Sequence, residues 1–291
     1  MNRVALYLEL AKSRIVSMVL VTTTLGYFLG GNGIQPLPRF LFALVGVGCA
    51  TGGASILNNY LERNLDAKMA RTRNRALPAG LIEPAEALIS GVSLVLIGVF
   101  LLVLAASLLT AFLVLLAAFL YVLVYTPLKR VTWLSTMFGA IPGAIPPMAG
   151  WAAATGRLDP GAWALFAILF AWQHPHFFAI AWMFREDYRR AGFKILPVIE
   201  PTGVRTVRLT VGFSLVLLAV SLIPTLIGMA GWLYFCGALL IGFMILSVAL
   251  SFARDRSDGN ARRLLKSSVF YLPLLLLLIL GDAGLRRLGG P

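Results

Sequence analysis

The chain has 291 residues, of which 59% are hydrophobic and 13% charged, and its formal net charge is +13. A soluble domain has about a quarter of its residues charged, so this composition excludes an ordinary water-soluble fold and specifies a polytopic membrane protein. Cys49 and Cys236 both fall inside apolar runs, which excludes a disulfide framework.

At about 20 residues per crossing, the apolar runs predict an all-α protein with about nine membrane helices. In chain order these are 14–31, 40–66 (its last turns emerging into the interface), 84–105 and 107–125, with almost no polar break between the last two. Then follow 134–155, 160–188, 206–228, 232–254 and 267–285. Residues 1–10 are too short and mixed to be the apolar core of a cleavable signal peptide, and the chain shows no Arg- and Ser-rich transit segment, which favours a prokaryotic cytoplasmic membrane.

The basic residues fix the expected orientation. With the N-terminus inside, the inner segments hold Arg3 to Arg14, Arg63 to Arg75, Lys129 and Arg130, Arg185 to Arg208, and Arg254 to Lys266. Of the 25 Lys and Arg residues, only Arg39, Arg157, Arg286 and Arg287 fall outside. That asymmetry puts the N-terminus in the cytoplasm and the C-terminus outside. The net charge is therefore topological, and no aromatic-basic platform for nucleic acid accompanies it.

The second predicted helix ends in the most chemically loaded stretch. Asn58, Glu62 and Asp66 are spaced i, i+4, i+8, which puts them on one helical stripe about 12 Å long. Glu62 and Asp66 repel at that spacing. Arg63 can reach Asp66, but no Lys or Arg lies three or four residues from Glu62, so a positive group from elsewhere is required. All-oxygen ligands suit a hard divalent cation such as Mg2+, which is often held by a few carboxylates plus substrate phosphates. Arg71, Arg73 and Arg75 follow and offer charge to such phosphates. The alternative is a helix end that simply pairs with basic loops. Lys129 and Arg130, after Tyr125-Thr126-Pro127-Leu128, are similarly open to phosphate binding or to a purely topological role.

The predicted helix 134–155 contains Pro142, Pro146 and Pro147 with Gly139, Gly143 and Gly150. Such a helix is tolerated where it packs in protein or lines a cavity, and its small residues admit either a flat ligand or a close helix neighbour. The predicted helix 160–188 carries Trp172-Gln173-His174-Pro175-His176, with the two histidines of the chain. Pro175 is expected to bend it. On one continuous helix His176 and Asp187 share a face about 16 Å apart along the axis. Intramembrane histidines are costly unless used or paired, which leaves a ligand role or an interhelical hydrogen bond. Arg190 lies four residues after Glu186 and is expected to pair with it, and it is also within reach of Asp187. Asp282 is expected to pair with Arg286.

These stretches together resemble the UbiA-type intramembrane prenyltransferases, and within them the branch that farnesylates haem. The resemblance rests on Asn58-Asn59-x-x-Glu62-x-x-x-Asp66 with Met69-x-Arg71-Thr72-x-x-Arg75-x-Leu77. It rests also on Tyr125-Thr126-x-x-Lys129-Arg130 leading into Gly143-Ala144-x-Pro146-Pro147-x-x-Gly150-Trp151, and on Trp172-Gln173-x-Pro175-His176-Phe177 followed by Asp187-Tyr188 and Ala191-Gly192. Glu62 is typical of the haem branch where the wider family has Asp. Three positions depart from the pattern: Ala76 replaces a usual Pro, Ser135 a usual Asn, and Met183 an Asp of other members.

The resemblance implies one domain over 1–291, with two related four-helix halves at about 14–125 and 134–254 and a last helix at 267–285, around a central cavity opening to the cytoplasm. It implies Mg2+ held by Asn58, Glu62 and Asp66, with Asp187, and farnesyl diphosphate bound by Arg71, Arg75, Lys129 and Arg130. It implies haem B as acceptor near Trp172, His174 and His176, with Glu62, Asp66, His176 and Asp187 as catalytic residues. It also implies contact with the lipid bilayer and with haem A synthase or other oxidase-assembly factors. The same motifs leave open a quinone- or chlorophyll-type acceptor. From the residues alone, a secondary transporter is a further alternative, since a Pro/Gly-broken helix fits one too. The clusters' position at inner helix ends, away from the midplane, argues against it.

Overall fold

The computed structural model describes residues 2–31 and 33–288, with side chains through 285. The described residues are helical, with no strand. Among the described residues, eight helices are long and apolar enough to cross a membrane: Ser13–Gly30, Leu37–Asp66, Pro84–Ala105, Leu108–Leu128, Pro160–Met183, Val204–Leu226, Trp232–Arg254 and Asp258–Leu285. The expected count of nine is not confirmed. The other expected crossing, Ser135–Thr155, forms as a 21-residue helix but is not among the eight, because its prolines and glycines lower its hydropathy.

The chain divides into two compact units. The first, residues 1–162 and 186–195, holds α1 (Arg3–Leu10), α2 (Ser13–Gly30), α3 (Leu37–Asp66), α4 (Pro84–Ala105), α5 (Leu108–Leu128), α6 (Ser135–Thr155) and the short helix Arg185–Ala191, here α8. The expected boundary between α4 and α5, marked by almost no polar break, falls at Ala106. Ser107 then caps α5, its Oγ accepting the Thr110 N–H at 3.1 Å.

Glycines set the spacing of this unit. A Cβ on Gly26 of α2 would stand 1.9 Å from the Pro147 carbonyl oxygen of α6, and one on Gly150 would stand 1.9 Å from the Thr23 carbonyl oxygen. Between α3 and α4, Gly53 faces the Gly91 carbonyl and Gly98 faces the Gly46 carbonyl at 2.6 and 2.5 Å on the same measure. In a bilayer, where lipid is as apolar as leucine, such backbone-to-backbone approach is what holds helices together. At these positions the small residues of α6 serve helix packing.

α3 has 30 residues, about 45 Å at 1.5 Å per residue, against a hydrocarbon layer of about 30 Å. That excess is long enough to carry its polar last turns beyond the layer. Over that end packs α1, an element absent from the predicted set. Leu6 and Leu10 join Ile56 of α3, Ala76, Leu77 and Ile82 of the following loop, and Ala87 of α4 in one apolar cluster. Asn2 caps α1 through the Val4 N–H. The basic loop after α3 is thus pinned from above by α1 and shaped from within by Thr72, whose hydroxyl donates to the Asp66 carbonyl at 2.8 Å.

The second unit, residues 163–185 and 196–291, is built from α7 (Pro160–Met183), α9 (Leu196–Ile199), α10 (Val204–Leu226), α11 (Trp232–Arg254) and α12 (Asp258–Leu288). The expected single helix 160–188 is two helices, broken at Phe184, so His176 and Asp187 share no continuous face. The helix does run through Pro175. Asp282 is buried, and its carboxylate accepts the Gly231 and Tyr234 N–H groups at 2.6 and 3.4 Å, capping α11. The Arg286 side chain lies outside the described residues. Cys49 and Cys236 are free thiols.

Replacing Gly150 by valine is expected to lower the melting temperature of detergent-purified protein, since overpacking costs about 1–3 kcal/mol or more. Gly212→Ala, whose new methyl has nothing within 4 Å, is expected to leave it unchanged. Similar melting of both variants would show that the α2–α6 approach is not what holds this unit together.

Candidate active site

The stripe on α3 forms as expected and is buried: Asn58, Glu62 and Asp66 are each under a tenth exposed. Unpaired carboxylates there would be costly, and the structure supplies one cation to each stripe residue from a different segment. Lys129 Nζ donates to Glu62 Oε1 at 2.7 Å. Arg75 Nη1 donates to Asp66 Oδ2 at 2.9 Å. Lys12 Nζ donates to Asn58 Oδ1 at 2.6 Å and lies 3.4 Å from the Tyr121 hydroxyl, which itself donates to Asn58 Oδ1 at 3.2 Å. Arg63 does not take Asp66. It folds back on its own helix, onto the Tyr60 carbonyl at 2.7 Å and the Tyr60 ring at 4.4 Å.

Each cation is held by local structure. Lys12 joins α1 to α2 with φ 54° and ψ 55°, left-handed backbone that non-glycine residues rarely adopt. Such conformations persist where the surroundings over-determine them and cluster at functional sites. Burial lowers the Lys12 pKa to about 7, and the Lys129 charge adds to that effect. Lys129 follows a π-helical turn at Leu120–Tyr125 within α5. There the Thr126 hydroxyl donates to the Tyr121 carbonyl at 2.8 Å and accepts from Asn58 Nδ2 at 2.9 Å. Single π turns inside α-helices recur at functional sites. The Lys129 ammonium lies 4.5 Å from the centre of the Tyr125 ring, which occupies the hollow left by Gly139. Burial works against the Lys129 charge, but Glu62 outweighs it and the pKa is raised.

The segment 186–195 closes on the same unit. Lys194 N–H donates to the Lys129 carbonyl at 2.7 Å, and the Phe193 ring centre is 5.7 Å from the Lys129 ammonium. Arg71 Nη2 reaches the Tyr188 hydroxyl at 3.4 Å. Asp187 faces Arg190 at 3.8 Å, while Glu186 pairs with Arg189 in place of the expected Arg190. Arg130 is exposed and stands outside this network.

Among the described residues, no three His, Cys, Asp or Glu side chains converge on a metal position. The oxygen donors suited to Mg2+ are the amide of Asn58 and two carboxylates, and each faces an ammonium or guanidinium. Such a set fits a hard cation that arrives with phosphates, because the phosphates can take over the Lys and Arg partners that the metal displaces. Arg75 and Lys129 offset the two carboxylates, so Lys12 gives the cluster a surplus positive charge in its protonated form, which favours an anionic ligand.

The two histidines lie in the second unit and have different surroundings. His174 is fully buried. Its Nδ1 donates to the Phe170 carbonyl at 2.7 Å, and its ring stacks on Phe213 with centroids 3.6 Å apart and planes within 4°. His176 is partly exposed and stacks on Trp172 at 5.0 Å. Its Nδ1 is 2.9 Å from Ser268 Oγ, and Trp172 Nε1 donates to the Ser268 carbonyl at 2.7 Å.

Sequence reasoning missed Lys12, Tyr121 and Ser268. A lysine in front of an apolar run reads as a topological charge, and Tyr121 reads as helix core. Ser268 lies 92 residues from His176 with no motif to connect them.

The sequence model of the UbiA prenyltransferase family matches residues 19–275. A curated relative from Solibacter usitatus, named protoheme IX farnesyltransferase, is 45% identical over 285 residues, covering 95% of this chain and 98% of the relative. The fold is similar to that of a structure concerned with digeranylgeranylglyceryl phosphate synthase in membranes, at TM-score 0.82 and 16% identity over 97% of this chain and 99% of that one. It is also similar to a UbiA homologue from Archaeoglobus fulgidus bound to DMAPP and Mg2+, at TM-score 0.68 and 16% identity over 96% and 99% of the two chains.

Removing one partner of a buried ion pair costs about 3–5 kcal/mol. Lys129→Met is therefore expected to destabilise metal-free protein by about that much, and adding Glu62→Gln is expected to recover most of the loss. Reversible denaturation of the two singles and the double in detergent gives the coupling. Simple additivity would show that the Glu62–Lys129 contact contributes nothing.

Proposed function

Because the chain belongs to the UbiA prenyltransferase family, we propose that it transfers a farnesyl group from farnesyl diphosphate to a vinyl group of haem B, giving a hydroxyethylfarnesyl haem. The observation that carries the reading is the buried stripe Asn58, Glu62, Asp66 with Lys12, Lys129 and Arg75 upon it. Haem as acceptor is supported by the name of the 45% identical relative, and a prenyl diphosphate with Mg2+ by the ligands of the Archaeoglobus homologue.

In this reading Asn58, Glu62 and Asp66, with Asp187, hold Mg2+ together with the substrate phosphates. Bound there, Mg2+ supplies positive charge that stabilises the departing diphosphate. Arg71, Arg75 and Lys129 bind the same phosphates, and their charge counts most as the allylic C–O bond breaks and the negative charge moves onto the leaving group. The apolar helix faces hold the farnesyl tail and keep water from the allylic cation. The acceptor's vinyl carbon forms the new bond to C1 of the prenyl chain. A water oxygen then adds to the adjoining porphyrin-side carbon and releases a proton. His176 orients the haem.

Incubating purified protein with haem B, farnesyl diphosphate and Mg2+ is expected to yield a pigment heavier by a farnesyl and a hydroxyl group. Asp66→Asn is expected to remove at least about two orders of magnitude of turnover, the scale of losing one transition-state charge partner, while the protein stays folded. Prenylation of a quinone precursor in place of haem would keep the family chemistry and refute the acceptor. Near-normal turnover by Asp66→Asn would refute the role of the stripe.

The bias of Lys and Arg toward alternate loops supports a cytoplasmic N-terminus and an external C-terminus in the cytoplasmic membrane of a prokaryote. A C-terminal alkaline phosphatase fusion is expected to be active and a C-terminal fluorescent protein dark. The reverse would invert the topology.

A further inference from the structure

The hydrogen bonds around Ser268 determine the protonation pattern of His176. A serine hydroxyl carries one hydrogen and a carbonyl oxygen carries none. Ser268 Oγ lies 2.7 Å from the Leu265 carbonyl oxygen, a distance at which two oxygens repel unless a hydrogen lies between them. The Ser268 hydrogen is therefore committed to Leu265, the back-bond that serines make within helices. What Ser268 turns toward His176, 2.9 Å away, is a lone pair. The hydrogen of that contact must come from the ring, so Nδ1 carries the proton. Among the described residues no carboxylate bonds this ring to hold a second proton, so Nε2 keeps its lone pair.

The surroundings fix this arrangement in space. Ser268 is fully buried, so the Nδ1 edge of the ring faces inward, while His176 as a residue is partly exposed. Trp172 fixes the pair twice, stacking on the ring at 5.0 Å with planes 24° apart and donating to the Ser268 backbone carbonyl at 2.7 Å. Imidazoles that bind metals have this pattern, with one nitrogen donating to a protein oxygen and the other left as the ligand. His174 has no comparable freedom, being fully buried against Phe170 and Phe213.

We infer that Ser268 is a positioning residue that holds His176 as the Nδ1–H tautomer, and that the His176 Nε2 lone pair is an axial ligand to the iron of the haem acceptor. The inference rests on the proposal that haem is the acceptor. It divides the two histidines, giving iron ligation to His176 and core packing to His174. It also brings α12 into acceptor binding through a residue that touches no substrate.

The test uses the full chain in detergent, titrated with ferric haem and followed by its Soret band and electron paramagnetic resonance. Wild type is expected to show a nitrogen-ligated iron, His176→Ala to lose that signature, and added imidazole to restore it. Ser268→Ala is expected to weaken haem binding about ten- to a hundredfold, the usual effect of removing a partner behind a metal-ligating histidine, and Ser268→Thr to keep it near wild type. Nitrogen-15 spectra of histidine-labelled protein without haem provide a readout independent of any ligand. The His176 signals are expected to report Nδ1–H in wild type and a mixture of tautomers in Ser268→Ala. A ligation signature that survives His176→Ala would overturn the inference, as would an unchanged tautomer and affinity in Ser268→Ala. Farnesylation of a haem that never shows nitrogen ligation would overturn it while leaving the proposed function standing. A wild-type protein that neither binds nor converts haem would overturn both.

Discussion

Two carboxylates and an amide lie on one buried stripe at the end of α3, where a charge without a partner costs several kcal/mol. Their partners are Lys12, Arg75 and Lys129, which come from the start of the chain, the loop after α3 and the loop after α5. Much of the first unit can be understood as the means of bringing those three cations to that stripe. α1 packs on the basic loop through Leu6 and Leu10, Lys12 turns through a left-handed residue, and a π turn precedes Lys129. The surplus positive charge comes from Lys12 in its protonated form, so the interactions that let the carboxylates be buried also make the site attractive to a phosphate-bearing ligand.

Such a cluster needs helices that approach closely and keep a fixed register. Apolar side chains do not provide this in a bilayer, since lipid competes equally well for them. The glycines do. Gly26 and Gly150 bring the backbones of α2 and α6 into direct contact, and Gly46, Gly53, Gly91 and Gly98 do the same for α3 and α4. Gly139 leaves the space that Tyr125 fills, and the Tyr125 ring lies beside the Lys129 ammonium. The pairing of Lys129 with Glu62 thus depends on a missing side chain one helix away.

In the second unit the same economy of space separates two histidines that are two residues apart. Residues at that spacing do not share a helical face. His174 takes the inward side, flat against Phe213. His176 takes the side where Trp172 and Ser268 hold its ring. Neighbours in sequence therefore occupy two chemical environments, one fully buried and apolar, the other partly exposed and hydrogen-bonded.

The sequence by itself determined the all-helical membrane fold, because long apolar runs have few other solutions in a bilayer. It also determined the acidic stripe, because helical periodicity converts i, i+4, i+8 into a shared face, and the need for cations from elsewhere, because Glu62 has none nearby. The family followed from three motifs in order. Only the tertiary structure decided which cations answer, since Lys12 and Arg14 are equivalent as letters in front of an apolar run and differ only in where the backbone sends them. It alone decided that α7 and α8 are separate helices, that Asp282 caps α11, and that Ser268 holds His176. Each of these depends on contacts between segments far apart in the chain, and local periodicity carries no information about such contacts.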